Sequence, residues 1–103
     1  MSEYSLSPSA LRDLIAAARH VSEKSGNPAT GDRIIDRLAK VMEKLADFPA
    51  MGRARSEVRP RLRSFAAPPF VIFYRRKRNG VYIIRILHQR QDVGKAFPKR
   101  RPR

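Results

Sequence analysis

Apolar residues in the first half of the chain recur at helical spacing. Leu11, Leu14, Ile15, Ala18 and Val21 form one stripe; Ile34, Leu38, Val41, Met42 and Leu45 form a second. Each stripe follows a capping residue with proline at the first helical position, Ser7-Pro8 and Asn27-Pro28. Gly26 stops the first helix and Asp47-Phe48-Pro49 the second. So short a connection predicts an antiparallel helical hairpin. Tyr4-Ser5-Leu6 reads as an extended start, and residues 50–60, with no period, as a loop. Leu62 to Ala66 predicts a strand that Pro68-Pro69 interrupts. Phe70 to Tyr74, aromatic and β-branched, predicts a central strand. Asn79-Gly80 predicts a two-residue hairpin turn, and Val81 to Leu87 a last strand, apolar on both faces. The sheet should therefore be covered in part on each side. The order gives an α+β fold: a short N-terminal strand and an antiparallel helical hairpin packed on one face of a small, twisted, mostly antiparallel sheet.

Length and charge refine this picture. With 103 residues there is room for one core, expected over 1–93, followed by a basic and flexible tail, 94–103. Without cysteine, disulfides and thiolate metal sites are excluded. No apolar run is long enough to span a bilayer, and Met1 to Tyr4 lacks the layout of a signal peptide. A soluble cytoplasmic protein with no membrane partner is expected. The net charge of +14 is one-sided. Residues 1–48 carry seven acids and seven bases, whereas residues 49–103 carry sixteen bases against Glu57 and Asp92. Such a field attracts a polyanion, and arginine outnumbers lysine seventeen to six, which favours planar bidentate contacts with phosphate or carboxylate.

Short catalytic motifs are missing. There is no Gly-rich phosphate loop, no carboxylate pair in the predicted sheet, and neither His20 nor His88 lies in a ligand-spaced cluster. No cofactor and no metal are expected. The basic constellation stands out. Arg53, Arg55, Arg59, Arg61 and Arg63 recur at mostly two-residue intervals and share one face if extended. Arg75 to Arg78 cluster at the predicted hairpin tip, and Arg85, His88 and Arg90 late in the last strand. A ribonuclease would use such groups to hold phosphate, with His88 as general acid or base and Arg90 beside it. Tyr74 and Tyr82 suit either base stacking or the strand core. Arg85, between Ile84 and Ile86, needs a carboxylate: either Asp92 within the chain, the favoured one, or an acidic residue of a partner. The candidate partner-contact residues are Leu14, Arg53, Arg55, Arg59, Arg61, Arg63, Tyr74, Arg75, Arg85, His88 and Arg90.

Six segments in order carry a resemblance. They are Tyr4 to Pro8 with Asp13-Leu14, Gly26-Asn27-Pro28, Leu45 to Arg53, Leu62 to Phe65, Phe73-Tyr74-Arg75, and Arg85 to His88 with Arg90-Gln91-Asp92. Together, from about Tyr4 to Val93, they resemble the RelE/ParE toxin superfamily, on its ParE branch. The resemblance implies the toxin of a type II toxin–antitoxin pair, with a ParD-like antitoxin, acidic or amphipathic, that wraps the toxin in a hetero-oligomer. It implies DNA gyrase as the target of ParE-like members and ribosome-bound mRNA as that of RelE-like members. The RelE-type pattern has a catalytic arginine in the strand occupied here by Phe70 to Tyr74 and a tyrosine after the last strand; this chain has neither, Phe97 being the nearest aromatic. The expectation is a non-catalytic gyrase inhibitor, with an mRNA endonuclease using His88 and Arg90 as the alternative.

Overall fold

The structure is a computed structural model that describes residues 2–98. Ser7 caps the first helix, its hydroxyl accepting from the Ala10 amide at 3.0 Å, and the Asn27 side chain accepts from the Ala29 amide at 3.0 Å to cap the second. Gly26, at φ 70°, closes the first in the left-handed conformation. The elements are β1 (Glu3–Leu6), α1 (Pro8–Ser25), α2 (Pro28–Asp47), a 3-10 turn (Pro49–Met51), β2 (Arg53–Ala54), β3 (Arg63–Ala67), β4 (Phe70–Lys77), β5 (Gly80–His88) and one helical turn, α3 (Val93–Ala96). The strands form one sheet in the order β1-β5-β4-β3-β2. Only β1 on β5 is parallel; the other pairs are antiparallel. β2 lies inside the segment expected as a loop; two residues are too few to show an alternation.

Strand alternation divides the core. Phe70, Ile72, Tyr74, Val81, Ile83 and Ile86 face the helices, where Ala10, Leu14, Leu38, Met42 and Leu45 meet them. The opposite face is smaller: Leu62, Phe73, Leu87 and Phe97 pack together, with Val58 and Val93 over them. The loop 55–62 and α3 thus cover what the helices leave bare. Phe97, only 4% exposed, extends the folded unit past Val93, where the sequence suggested a tail. The remainder of that expected tail, from Lys99, lies outside the described residues.

Two local expectations shift by a residue or a face. The hairpin turn is Arg78-Asn79, not Asn79-Gly80, because Gly80 pairs with Lys77 and begins β5. Gly80 is needed there for a different reason. Its φ is 141°, and a Cβ would stand 1.8 Å from the Glu3 carbonyl oxygen, so only glycine lets β1 close onto β5. On α1, Leu11 and Ile15 are each 47% exposed; the sheet-facing stripe is Ala10, Leu14 and Ala17 instead.

Tyr74 joins the sheet to the turn after α2. Its hydroxyl donates to the Pro49 carbonyl at 2.7 Å and accepts from the Gly52 amide at 2.9 Å. Gly52 must lack a side chain, since its Cβ would meet that oxygen at 2.4 Å. Replacing Tyr74 with Phe leaves both backbone groups without this partner. We expect Tyr74→Phe to lower unfolding stability by about 1–3 kcal/mol, measured by chemical denaturation.

Candidate functional site

The five arginines between Arg53 and Arg63 do not share one face. The segment 55–62 turns instead of extending, and Arg61 takes a left-handed φ of 65°. Arg53 pairs with Ser64, on the sheet face away from the helices, and is exposed. On that face Arg55 lies over the Phe73 ring at 5.3 Å and Arg59 over the Phe97 ring at 5.1 Å. Arg75 lies over Tyr82 at 5.0 Å, two residues along β4. The rings thereby hold three long side chains at defined positions. Glu57 bonds Arg55 Nε at 2.8 Å and is held below its ordinary pKa, chiefly by that hydrogen bond. Arg63 points the other way, donating to the carbonyls of Ala50 and Gly52, and so braces the turn beside Arg61. These arginines therefore fall into two separate groups, one on the outer face and one at the turn after α2.

Arg85 is bound from an unexpected direction. Its Nε donates to Asp13 Oδ2 at 2.7 Å and its Nη2 to Oδ1 at 2.9 Å, a bidentate pair in which the side chains are 24% and 14% exposed. Asp92, the expected partner, instead caps α3 by accepting from the Gly94 amide at 2.8 Å. The reason is local: β1 ends at Leu6, opposite Ile83, so beyond that point β5 offers an edge to α1. Asp13 Oδ2 also accepts from the Ile86 amide at 2.9 Å. The Arg85 pKa is raised, first by the hydrogen bond to Asp13 and then by its charge, against partial burial.

His88 and Arg90 stand together at the end of β5. His88 Nδ1 accepts from the Arg90 amide at 3.1 Å, and its ring meets Phe70 edge-on at 5.8 Å. They line a groove of about 520 Å³ against α1, which brings His20 and Lys24 to the same wall, with Phe70 and Ile86 as its floor. That His20 and His88 line one groove was not visible in the sequence, where 67 residues separate them. Leu14 and Tyr74, both proposed as contacts, are buried in the helix-side core, at 7% and 0% exposure. Their burial follows from the α1 face turned to the sheet and from the strand alternation. Among the described residues, the large apolar side chains that are exposed are Leu11, Ile15 and Phe48. Among the described residues no group of three or more His, Cys, Asp or Glu lies close enough to hold a metal ion.

Comparison with known proteins agrees with this fold. The family described as "ParE toxin of type II toxin-antitoxin system, parDE" matches residues 4–93. The chain is similar to "Toxin ParE3" of Caulobacter vibrioides, 34% identical over 88 residues, covering 85% of this chain and 87% of the relative. It is also similar to "Toxin RelE3" of the same organism, 35% identical over 89 residues and covering 85% and 95%. Among solved structures, "Chromosomal ParDE TA system from P. aeruginosa" superposes with a TM-score of 0.70 at 22% identity, over 85% of this chain and 96% of that one.

The Asp13 carboxylate serves a charged side chain and a strand amide at once. Asp13→Ala is expected to lower stability by about 2–3 kcal/mol, and Asp13→Asn, which keeps an acceptor for Ile86, by less. Denaturation midpoints with unchanged slopes would check both.

Proposed function

The chain belongs to the ParE toxin family of type II toxin–antitoxin systems, and we propose that it acts in the cytoplasm as a non-catalytic inhibitor of DNA gyrase, neutralised by a ParD-like antitoxin. The observation that carries the reading is β4. Between Phe70 and Tyr74 its two side chains on the outer face are Val71 and Phe73, and Phe73 is the centre of the second core cluster. A nuclease of the RelE type would need an arginine within this stretch to hold the scissile phosphate. Here packing takes that place. The nearest outer-face cation on the strand, Arg75, is stacked on Tyr82. No described helix is long and apolar enough to cross a membrane.

The antitoxin reading draws on the hairpin. Leu11 and Ile15 stand one turn apart on α1, half exposed beside acids and bases that balance. An amphipathic segment laid along α1 would bury both and place its carboxylates toward the arginines of the second half. A second reading, mRNA cleavage, has the His88–His20 groove in its favour. It lacks an arginine between Phe70 and Tyr74, the stretch in which the RelE-type pattern has one.

Purified toxin is expected to block supercoiling by gyrase in vitro; normal supercoiling at large toxin excess, together with codon-positioned cuts in toe-printed messages, would favour the nuclease. Leu11→Ser and Ile15→Ser are each expected to weaken antitoxin binding by about 10–100-fold, while the unfolding midpoint moves little because both side chains are half exposed. Calorimetric titration checks the affinity, and a salt series on the same titration should show it falling as salt rises.

A further inference from the structure

The second basic group has no role in that reading. Arg61, Arg63 and Arg76 line a cavity of about 240 Å³ closed on one side by Pro49 and Ala50. Three arginines line one small cavity, and none of its lining residues is a carboxylate; Asp47 lines the adjoining cavity instead. Four other arginines are answered by an acid or a ring: Arg85 by Asp13, Arg55 by Glu57, Arg59 and Arg75 by aromatic rings. Arg63 is fixed as one wall because its Nε and Nη2 are held by the carbonyls of Gly52 and Ala50. Arg61, which lines the cavity, adopts φ 65°, a conformation unfavourable for a residue with a Cβ. Backbone outliers of this kind persist where surrounding structure over-determines them and occur often at ligand clamps.

Immediately next to this cavity lies a shallower one, lined by Phe48, Met51 and Asp47 and sharing Pro49, Ala50 and Arg76 with the first. Phe48 is 61% exposed, the most exposed large apolar side chain described. The α2 terminus and the 3-10 turn together thus present an aromatic face beside a pocket of positive charge. A phosphate group carries enough negative charge and enough acceptor oxygens to answer three guanidiniums, and planar bases stack on exposed aromatic rings.

We propose that Arg61, Arg63 and Arg76 form a binding site for a phosphate group, carried by a nucleotide or by a nucleic-acid strand, with Phe48 as the platform for the adjoining base. The site is separate from the His88 groove and from the outer arginine face. It does not depend on gyrase being the target.

The test is calorimetric titration of the full chain at low salt with inorganic phosphate, with adenosine 5′-monophosphate and with a short single-stranded oligodeoxynucleotide. One saturable site for phosphate is expected. Arg61→Gln and Arg76→Gln should each weaken it at least tenfold, whereas Arg33→Gln, which removes an exposed arginine of α2 far from the cavity, should not. Phe48→Ala should leave inorganic phosphate unaffected and weaken the nucleotide several-fold. Tighter binding of the oligonucleotide than of the nucleotide, lost in Arg76→Gln, identifies a strand as the source; equal binding identifies a free nucleotide. Absence of saturable phosphate binding, or equal weakening by Arg33→Gln, overturns the proposal, because the effect would then be diffuse charge. So does capture of an acidic peptide at the cavity that phosphate fails to displace. Circular dichroism of each variant separates lost binding from lost fold.

Discussion

The rest of the structure depends on how the start of α1 is fastened to β5. The parallel pairing of β1 with β5 ends at Leu6 and Ile83, yet β5 continues to His88. Past that point, side chains and one amide of the first helical segment take over the work of a neighbouring strand. The Ser7 amide donates to the Ile83 carbonyl and the Ser7 hydroxyl to the Ile84 carbonyl, both within 2.8 Å. Asp13 then receives the Ile86 amide. Ser7 at the same time caps α1, so one residue ends the strand, starts the helix and sets its angle to the sheet. Arg85 neutralises the carboxylate that makes this possible, with two charge-assisted bonds in a site from which most water is excluded.

That junction coincides with the one irregularity of the sheet. Between Phe73 and Tyr74 the register with β5 shifts, leaving Ile84 as the extra residue between Ile83 and Arg85. Before the shift, Val81 and Ile83 face the helices; after it, Ile86 does. The extra residue puts Ile84 and Arg85 both away from the helical core, so the arginine is not buried among apolar groups and can curl around the free edge to Asp13. A regular strand would have turned one of these side chains inward. The bulge is therefore what makes a charge tolerable in an otherwise apolar strand.

The same division of faces sorts the positive charge. On the outer face the arginines lie over Phe73, Phe97 and Tyr82, covering apolar rings with their planar heads. At the turn after α2 they converge on a cavity instead. The helical half stays neutral overall and offers apolar side chains, Leu11 and Ile15, at its surface. The chain thus separates its surfaces by chemistry: apolar on the hairpin, cationic on the sheet.

Much of this could be read from the residues alone. The caps at Ser7 and Asn27, the stop at Gly26, both helices, the strands around Phe70 to Tyr74 and Val81 to Leu87, and the family itself rest on local spacing or motif order, and local rules act within a few residues. Where distant segments compete for the same partner, the sequence was silent or pointed elsewhere. Arg85 had Asp92 seven residues away and took Asp13, because a strand edge and a helix face meet only in the folded chain. Tyr74 suited a base or the strand core; its burial agrees with the second, but the partners of its hydroxyl, Pro49 and Gly52, lie far off in the chain. Leu11 and Leu14 lie on one apolar stripe, yet only the docking angle of α1 decides which is buried. His20 and His88 share a groove for the same reason. Periodicity determines which faces are apolar; the tertiary structure decides which of them is covered, and by what, since burial is a property of the neighbours and not of the residue.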